Sequence, residues 1–369
     1  MADRLTERFT SLGFVVSEDD TGKKIGGSAG NLYARLEGTV AGEVLLFSCH
    51  MDRVVPGVNV KPHIEGDYIV SDGTTVLGAD DASGLAALLE GITVLKQNGK
   101  GHPTIELVLT VAEELSLVGS KHFDTTQVSS RIGFVLDAGG DVGEIVLQAP
   151  EHIKFTAVFQ GLSAHAGFAP EQGISAIQIA ATAISRMALL RIDAETTANI
   201  GSISAVGPTN IVQDRCELQG EVRSLDPIKV QSQMAELSDV MQAAAAEYGG
   251  SLTMETVTSY QAYRLREDSE PVCRAARAAA TIGVPVCYKS TGGGSDANYF
   301  NSQGLPTVVL SCGYEKVHTT AERIPLKQLV LLTEWVLAII DNGVITVSPN
   351  EFGETHRPFN NISFSQYPA

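Results

Sequence analysis

The chain has 369 residues, 44% hydrophobic and 19% charged, which is enough for two sizeable cores and too apolar for a disordered chain. Its formal net charge of -17 repels nucleic acid and anionic membranes, so neither is expected as a partner. The cysteines (Cys49, Cys216, Cys273, Cys287 and Cys312) are odd in number and form no CxxC pair. No apolar signal core follows Met1 and no run reaches transmembrane length, so the expected location is the cytoplasm, with no disulfide framework and no cysteine-bound zinc.

An amphipathic helix opens the chain. Short apolar strands are predicted over Asn31–Leu36 and Glu43–Ser48, then a helix over Ala82–Gln97 with Leu85, Leu88, Leu89, Ile92 and Leu95 at helical spacing. Thr104–Val111 and Ile132–Leu136 read as buried strands, because apolar residues hardly alternate with polar ones. A second unit follows: strand Ile153–Phe159, helix Ser175–Met187, strands Asn199–Ala205 and Cys216–Ser224, helix Pro227–Tyr248, strand Ser251–Thr258. That β-α-β-β-α-β order predicts a ferredoxin-like α+β sandwich. The first pattern then resumes with helix Glu270–Ile282, strands Val286–Lys289 and Pro306–Ser311, and helix Pro325–Asp341. The expected class is therefore α/β, a mixed sheet with helices on both faces. Residues 1–150 and 262–341 form one discontinuous domain, 151–261 are inserted into it, and 342–369 form an extended polar tail.

Acids and histidines recur at predicted strand ends. His50 and Asp52 are one residue apart, so on extended chain they point to the same side. Asp80 and Asp81, in Gly78-Ala79-Asp80-Asp81, either cap the following helix or supply a carboxylate that bridges two metal ions. Glu113 and Glu114 directly follow a buried strand, where two acids are costly unless paired, protonated or bound to metal. One of them could ligate metal while its neighbour faces a water. Asp137 ends another strand, and His318 follows the strand ending at Ser311. Two histidines and three carboxylates at the ends of successive strands of an α/β sheet suit zinc, with manganese or cobalt as alternatives.

The series His50-x-Asp52, Gly-Ala-Asp80-Asp81, Glu113-Glu114, Asp137 and His318 resembles the metal-dependent aminoacylase/carboxypeptidase superfamily, and within it the peptidase T-like tripeptide aminopeptidases. The resemblance spans about residues 1–341. It implies a site for two divalent ions, with Asp80 bridging, His50 and Asp137 completing one position, and Glu114 and His318 the other. It makes Glu113 the general base and Asp52 a supporting group, and it implies a cis peptide between Asp80 and Asp81. The inserted unit becomes a lid and dimerisation domain. There His165, in Gly161-Leu162-Ser163-Ala164-His165-Ala166-Gly167, would reach the substrate in the other subunit of a homodimer. Asn210 and Arg223 fall where that domain supplies substrate-binding groups, and Gly292-Gly293-Gly294-Ser295-Asp296-Ala297-Asn298 matches a loop near the substrate.

Two departures stand out: family members usually carry more chain before the first helix, and Ala82 stands where Lys is frequent. The implied activity is metal-assisted hydrolysis of an amide bond in a short peptide, at its N-terminal residue. An exocarboxypeptidase or an N-acyl-amino-acid deacylase of the same superfamily is the nearer alternative. A metal-loaded but inactive dimeric binding protein is the more distant one.

Overall fold

The computed structural model describes residues 1–341, so the expected tail over 342–369 lies outside the described residues. Nine strands form the larger sheet. Its main path runs Val15–Glu18, Leu32–Leu36, Ile105–Thr110, Leu45–His50, Gly133–Ala138, Thr307–Ser311, Glu144–Ala149, Tyr263–Arg264, and Cys287–Ser290 also pairs with Glu144–Ala149. The four strands from Ile105–Thr110 to Thr307–Ser311 are parallel. Their C-terminal ends therefore open on one edge, where side chains from separate segments meet.

These central strands are apolar throughout because both faces of the sheet are covered. Leu45, Phe47, Leu107 and Leu109 face a core shared with helices Ala79–Gln97, Glu270–Thr281 and Leu326–Asp341. Leu46, Val108 and Val135 face the opposite core, with Phe123 and Phe300. Trp335 is fully buried and its indole N–H donates to Ala275 O at 2.9 Å. One acid interrupts the run. Glu106 is buried but accepts from Tyr33 Oη, Ser129 N and Ser130 N at 2.8–3.1 Å, so its charge is matched by donors.

The second sheet is antiparallel, in the order Leu190–Arg191, Thr196–Ser204, Arg215–Ser224, Glu151–Gln160, Ser251–Tyr260. Helices Ala176–Arg186 and Pro227–Glu247 pack on one face of it. Phe155, Phe159, Ile179, Leu218 and Met241 make a core separate from the first. Both helices start at side-chain caps: Ser175 accepts from Gln178 N, and Asp226 from Ile228 N with Pro227 behind it. The expected ferredoxin-like element order is present, with one added two-residue edge strand.

The chain passes between the two sheets near Pro150 and Gln261. Asn298 is buried, and its side-chain amide donates to both crossings, to Pro150 O at 3.2 Å and to Gln261 O at 2.8 Å. Its oxygen accepts from Ser295 N, closing a capping box on the short helix Asp296–Ser302. Much of the Gly292–Asn298 motif therefore caps a helix and staples the junction.

Candidate metal centre

His50 is the last residue of its strand and sits among carboxylates from three other segments. Its Nε2 is 2.8 Å from Asp80 Oδ1 and 3.6 Å from Asp137 Oδ1. His318 Nε2 is 3.0 Å from Glu114 Oε1 and 3.3 Å from Asp80 Oδ2. Asp80 thus offers one oxygen to each imidazole. The five residues singled out as ligands converge on one pocket at the C-terminal edge of the parallel strands.

The Asp80–Asp81 pair is built for two different tasks. Gly78 turns the chain with a φ of 74°, and the peptide between the two acids is cis. Neither Asp80 nor Asp81 has helical backbone angles, so the regular helix starts at Ala82, where the sequence pattern put it. Asp81 is fully buried. Its carboxylate accepts from Gly84 N at 3.1 Å and from His50 N at 3.2 Å. Its oxygens also come within 4.8 Å of ligand atoms on His50 and Asp137. Each Asp81 oxygen accepts one main-chain N–H, so Asp81 caps the helix, while Asp80 meets both imidazoles. Glu322, also buried, braces this turn by accepting from Gly78 N at 2.7 Å and Asp80 N at 3.1 Å.

Glu113 and Glu114 do not continue their strand in extended form. The strand ends at Thr110, and Ala112 adopts a left-handed φ of 52° that breaks the extended run. Asp52 holds the turned segment, with Oδ1 accepting from Glu113 N at 3.0 Å and Oδ2 from Glu114 N at 3.2 Å. The contact of Asp52 with His50 is weaker. Its Nδ1 lies 3.1 Å from the Asp52 main-chain oxygen and 3.6 Å from the carboxylate. Thr110 donates to buried Asp296, which ties the same strand end to the helix carrying Asn298.

Charge is concentrated here. Burial, then the Asp80 charge, push the Asp137 carboxyl up to about 7. Burial and Asp137 drive Glu113 well above the usual carboxylate range, and burial with Asp80 raises Glu114. Burial opposes a charged His50, yet its bonds to Asp137, Asp52 and Asp80 lift it well above the usual histidine range. The bond to Asp80 lifts His318 to about 9. Carboxylates outnumber imidazoles in a largely buried pocket, a donor set that divalent cations would neutralise. The residues therefore fit two such ions.

The second sheet brings fewer groups. His165 is exposed, and its Nδ1 accepts from Gly167 N and Phe168 N at 3.2 and 3.1 Å. Asn210 is exposed as well, and its main-chain oxygen accepts from Ala166 N at 2.9 Å, which steadies the His165 loop. Arg223 is half-buried and committed. Nε and Nη2 fork onto Glu221 at 2.9 and 3.2 Å, and Nη1 reaches Tyr260 Oη at 3.1 Å. His152 Nε2 also bonds Glu221, at 2.9 Å. No sequence signal separated Glu322 or Glu221 from ordinary surface polar residues, and Asn298 stood out only as the last residue of the Gly292–Asn298 motif.

The pattern of the peptidase family M20/M25/M40 matches residues 46–342. The chain belongs to this family. As a peptidase of family M20/M25/M40 it is a metal-dependent hydrolase. Two solved family structures are similar over most of their length. An aminopeptidase PepT from Bacillus cereus ATCC 10987 is 46% identical, with 92% of each chain covered and a TM-score of 0.84. A tripeptidase from Staphylococcus aureus subsp. aureus Mu50 is 42% identical, with 92% of this chain and 91% of that one covered and a TM-score of 0.87. The protein YqjE of Bacillus subtilis (strain 168) is 45% identical over 339 residues, 92% of this chain and 91% of that protein. Among the described residues no helix is long and apolar enough to cross a membrane.

Proposed function

We propose that the protein is a two-metal aminopeptidase that removes the N-terminal residue of tripeptides. One observation carries the reading: the Asp80 carboxylate is divided between His50 and His318, each with a further carboxylate, Asp137 or Glu114, beside it. The similarity to an aminopeptidase PepT and a tripeptidase supports the choice of substrate. His50 and Asp137 would hold one ion, Glu114 and His318 the other, and Asp80 both. Zinc suits this set best, and manganese or cobalt are the other ions it accepts. When bound, the ions polarise the scissile carbonyl and lower the proton affinity of water.

The chain's own groups do the rest. Glu113 makes no side-chain bond to the imidazoles and acts as the general base. It takes the proton of the water whose oxygen adds to the scissile carbon. It then delivers that proton to the amine nitrogen as the C–N bond breaks. Asp52 fixes Glu113 and Glu114 through their main chain. Residues 151–261 serve as lid and dimerisation unit. His165, exposed beside apolar Leu162, Phe168 and Ile211, donates to the oxyanion in the other subunit of a homodimer. Asn210 sets the His165 loop, and Arg223 is a cation held in place by Glu221 and Tyr260. The five free cysteines suit a cytoplasmic enzyme.

A substrate panel with and without chelator tests this. Tripeptides should be cut with release of the N-terminal residue, and chelation should abolish it. Faster cleavage of N-blocked dipeptides or N-acetyl amino acids would move the assignment to a carboxypeptidase or deacylase. No turnover of any of them in metal-loaded protein would leave a binding protein.

A further inference from the structure

We propose that Asn31 is a positioning residue for the reaction: its one buried side-chain amide fastens both ends of the loop that carries Glu113 and Glu114. The inference rests on the peptidase reading and names a further residue that sets its site.

Asn31 immediately precedes the strand Leu32–Leu36, which runs antiparallel to Ile105–Thr110 with Leu32 opposite Leu109. That register puts Asn31 beside the exit of the strand that leads to Glu113. The residue is buried, and every polar atom of its side chain is engaged. Its Oδ1 accepts from Val111 N at 3.0 Å, and its Nδ2 donates to Gly119 O at 2.9 Å. Nδ2 also donates to Asp19 Oδ2 at 2.8 Å, with Thr21 Oγ1 at 3.1 Å. One amide group therefore holds the first and the last residue of the segment 111–119. Asp19 fixes Asn31 in turn, its Oδ1 accepting from Asn31 N at 2.8 Å and from Thr21 N at 2.9 Å.

The loop needs such a clamp. Ala112, Ser116 and Leu117 have left-handed φ values of 52°, 72° and 62°, which non-glycine residues keep only where the surroundings impose them. Inside the loop, Leu117 N donates to Glu113 O at 2.7 Å and Val118 N to Ala112 O at 3.1 Å. The two ends approach so closely that a Cβ on Gly119 would lie 1.8 Å from Val111 O. Asp52 grips the middle of the loop at the N–H groups of Glu113 and Glu114, and Asn31 grips its ends. Glu113 and Glu114 follow the clamp at Val111 by two and three residues, so a loosened end moves both carboxylates. A displacement of about 1 Å at a reacting group is enough to cost on the order of a hundredfold in rate. The competing role is structural, closing the 19–31 turn through Asp19. The two roles use different bonds of Asn31, so separate variants address them.

The test measures trialanine turnover and backbone hydrogen exchange on the metal-loaded, full-length chain. Asn31→Ala should lower kcat about tenfold or more with KM little changed. Exchange should speed up in residues 111–119, while the central strands Leu45–His50 and Gly133–Ala138 keep wild-type protection. Asn31→Ser, which fills part of the same space but is too short to reach both ends, should show the same pattern if the alanine variant does not fold. Asp19→Ala removes the turn bonds and leaves Asn31 its two loop bonds, so it should lower Tm yet keep most of kcat and a protected loop. Unchanged exchange over 111–119 in the Asn31 variants overturns the proposal. So does near-normal kcat, or an equal loss of kcat in Asp19→Ala. If the wild type cleaves no tripeptide, the peptidase reading has failed, and the exchange comparison still decides whether Asn31 holds the loop.

Discussion

Asp52 positions Glu113 through the main chain: its Oδ1 accepts the Glu113 N–H at 3.0 Å while its Oδ2 accepts the N–H of Glu114. One carboxylate thereby sets the turn that carries both the proposed base and a proposed ligand. Asp52→Asn keeps an oxygen for only one of these bonds and should lower kcat about tenfold or more, with metal still bound. Glu113→Gln should also keep metal and lose on the order of a hundredfold or more. Turnover and metal content measured on the same samples decide both. Near-normal turnover in Glu113→Gln removes it from the base role.

The two acids after Gly78 should separate cleanly. Asp80→Ala is expected to empty both metal positions, whereas His318→Ala should mainly weaken one. Asp81→Ala removes acceptors for two buried N–H groups, so it should cost about 1–3 kcal/mol of stability. Metal analysis and denaturant unfolding distinguish these outcomes. Loss of metal in Asp81→Ala but not in Asp80→Ala would reverse the assignment.

If His165 serves the other subunit, mixing two nearly inactive chains should restore activity. Glu113→Gln and His165→Ala subunits, allowed to exchange, give hybrids with one site that has both groups intact. Recovery should reach at most about half the wild-type rate per dimer. Exchange verified by mass with no returning activity would confine His165 to its own subunit or to no role.

The Glu221 cluster predicts an acid-side effect on stability. Its bond from His152, and then the Arg223 fork, hold the Glu221 carboxyl at about 2 against an ordinary 4.5. A folded-state pKa below the unfolded one gives stability that is full above about pH 4.5 and lost as pH falls through about 2. With the side chain about a third exposed, the contribution is on the order of 1–2 kcal/mol. Glu221→Gln should flatten that part of the unfolding profile between pH 5 and pH 2. An unchanged profile would mean that the cluster adds no acid-sensitive stability.

Of the proposed ligands, His50, Asp137 and Glu114 stood out because they stand at or near the end of a buried strand, where an acid or histidine conflicts with its apolar surroundings, whereas Asp80 lies at a helix start and His318 in a loop, away from any strand end. The parallel central strands were legible for the same reason, their apolar runs being long and uninterrupted. The strand Glu144–Ala149 was missed because its burial alternates irregularly between Gly143 and Pro150. Val15–Glu18, Thr21–Ile25 and the three-strand sheet of His63–Glu65, Tyr68–Val70 and Arg323–Pro325 were missed as well. Most of these pieces are polar or exposed and depend on partners distant in sequence. Asn298, Glu322 and Asp52 act on main-chain atoms, and sequence pattern carries no mark of a side chain's backbone partner.

The staple at Asn298 acts as a pin across the junction. Two strands entering a body at separate points could shear past each other, but here one amide group fastens both carbonyls, so they must travel together. The pin belongs to the larger unit, on the same helical turn as Asp296, which is bonded to Thr110 at the root of the Glu113 segment. The crossings to the second sheet are thereby linked, through one short helix, to the strand that leads to Glu113.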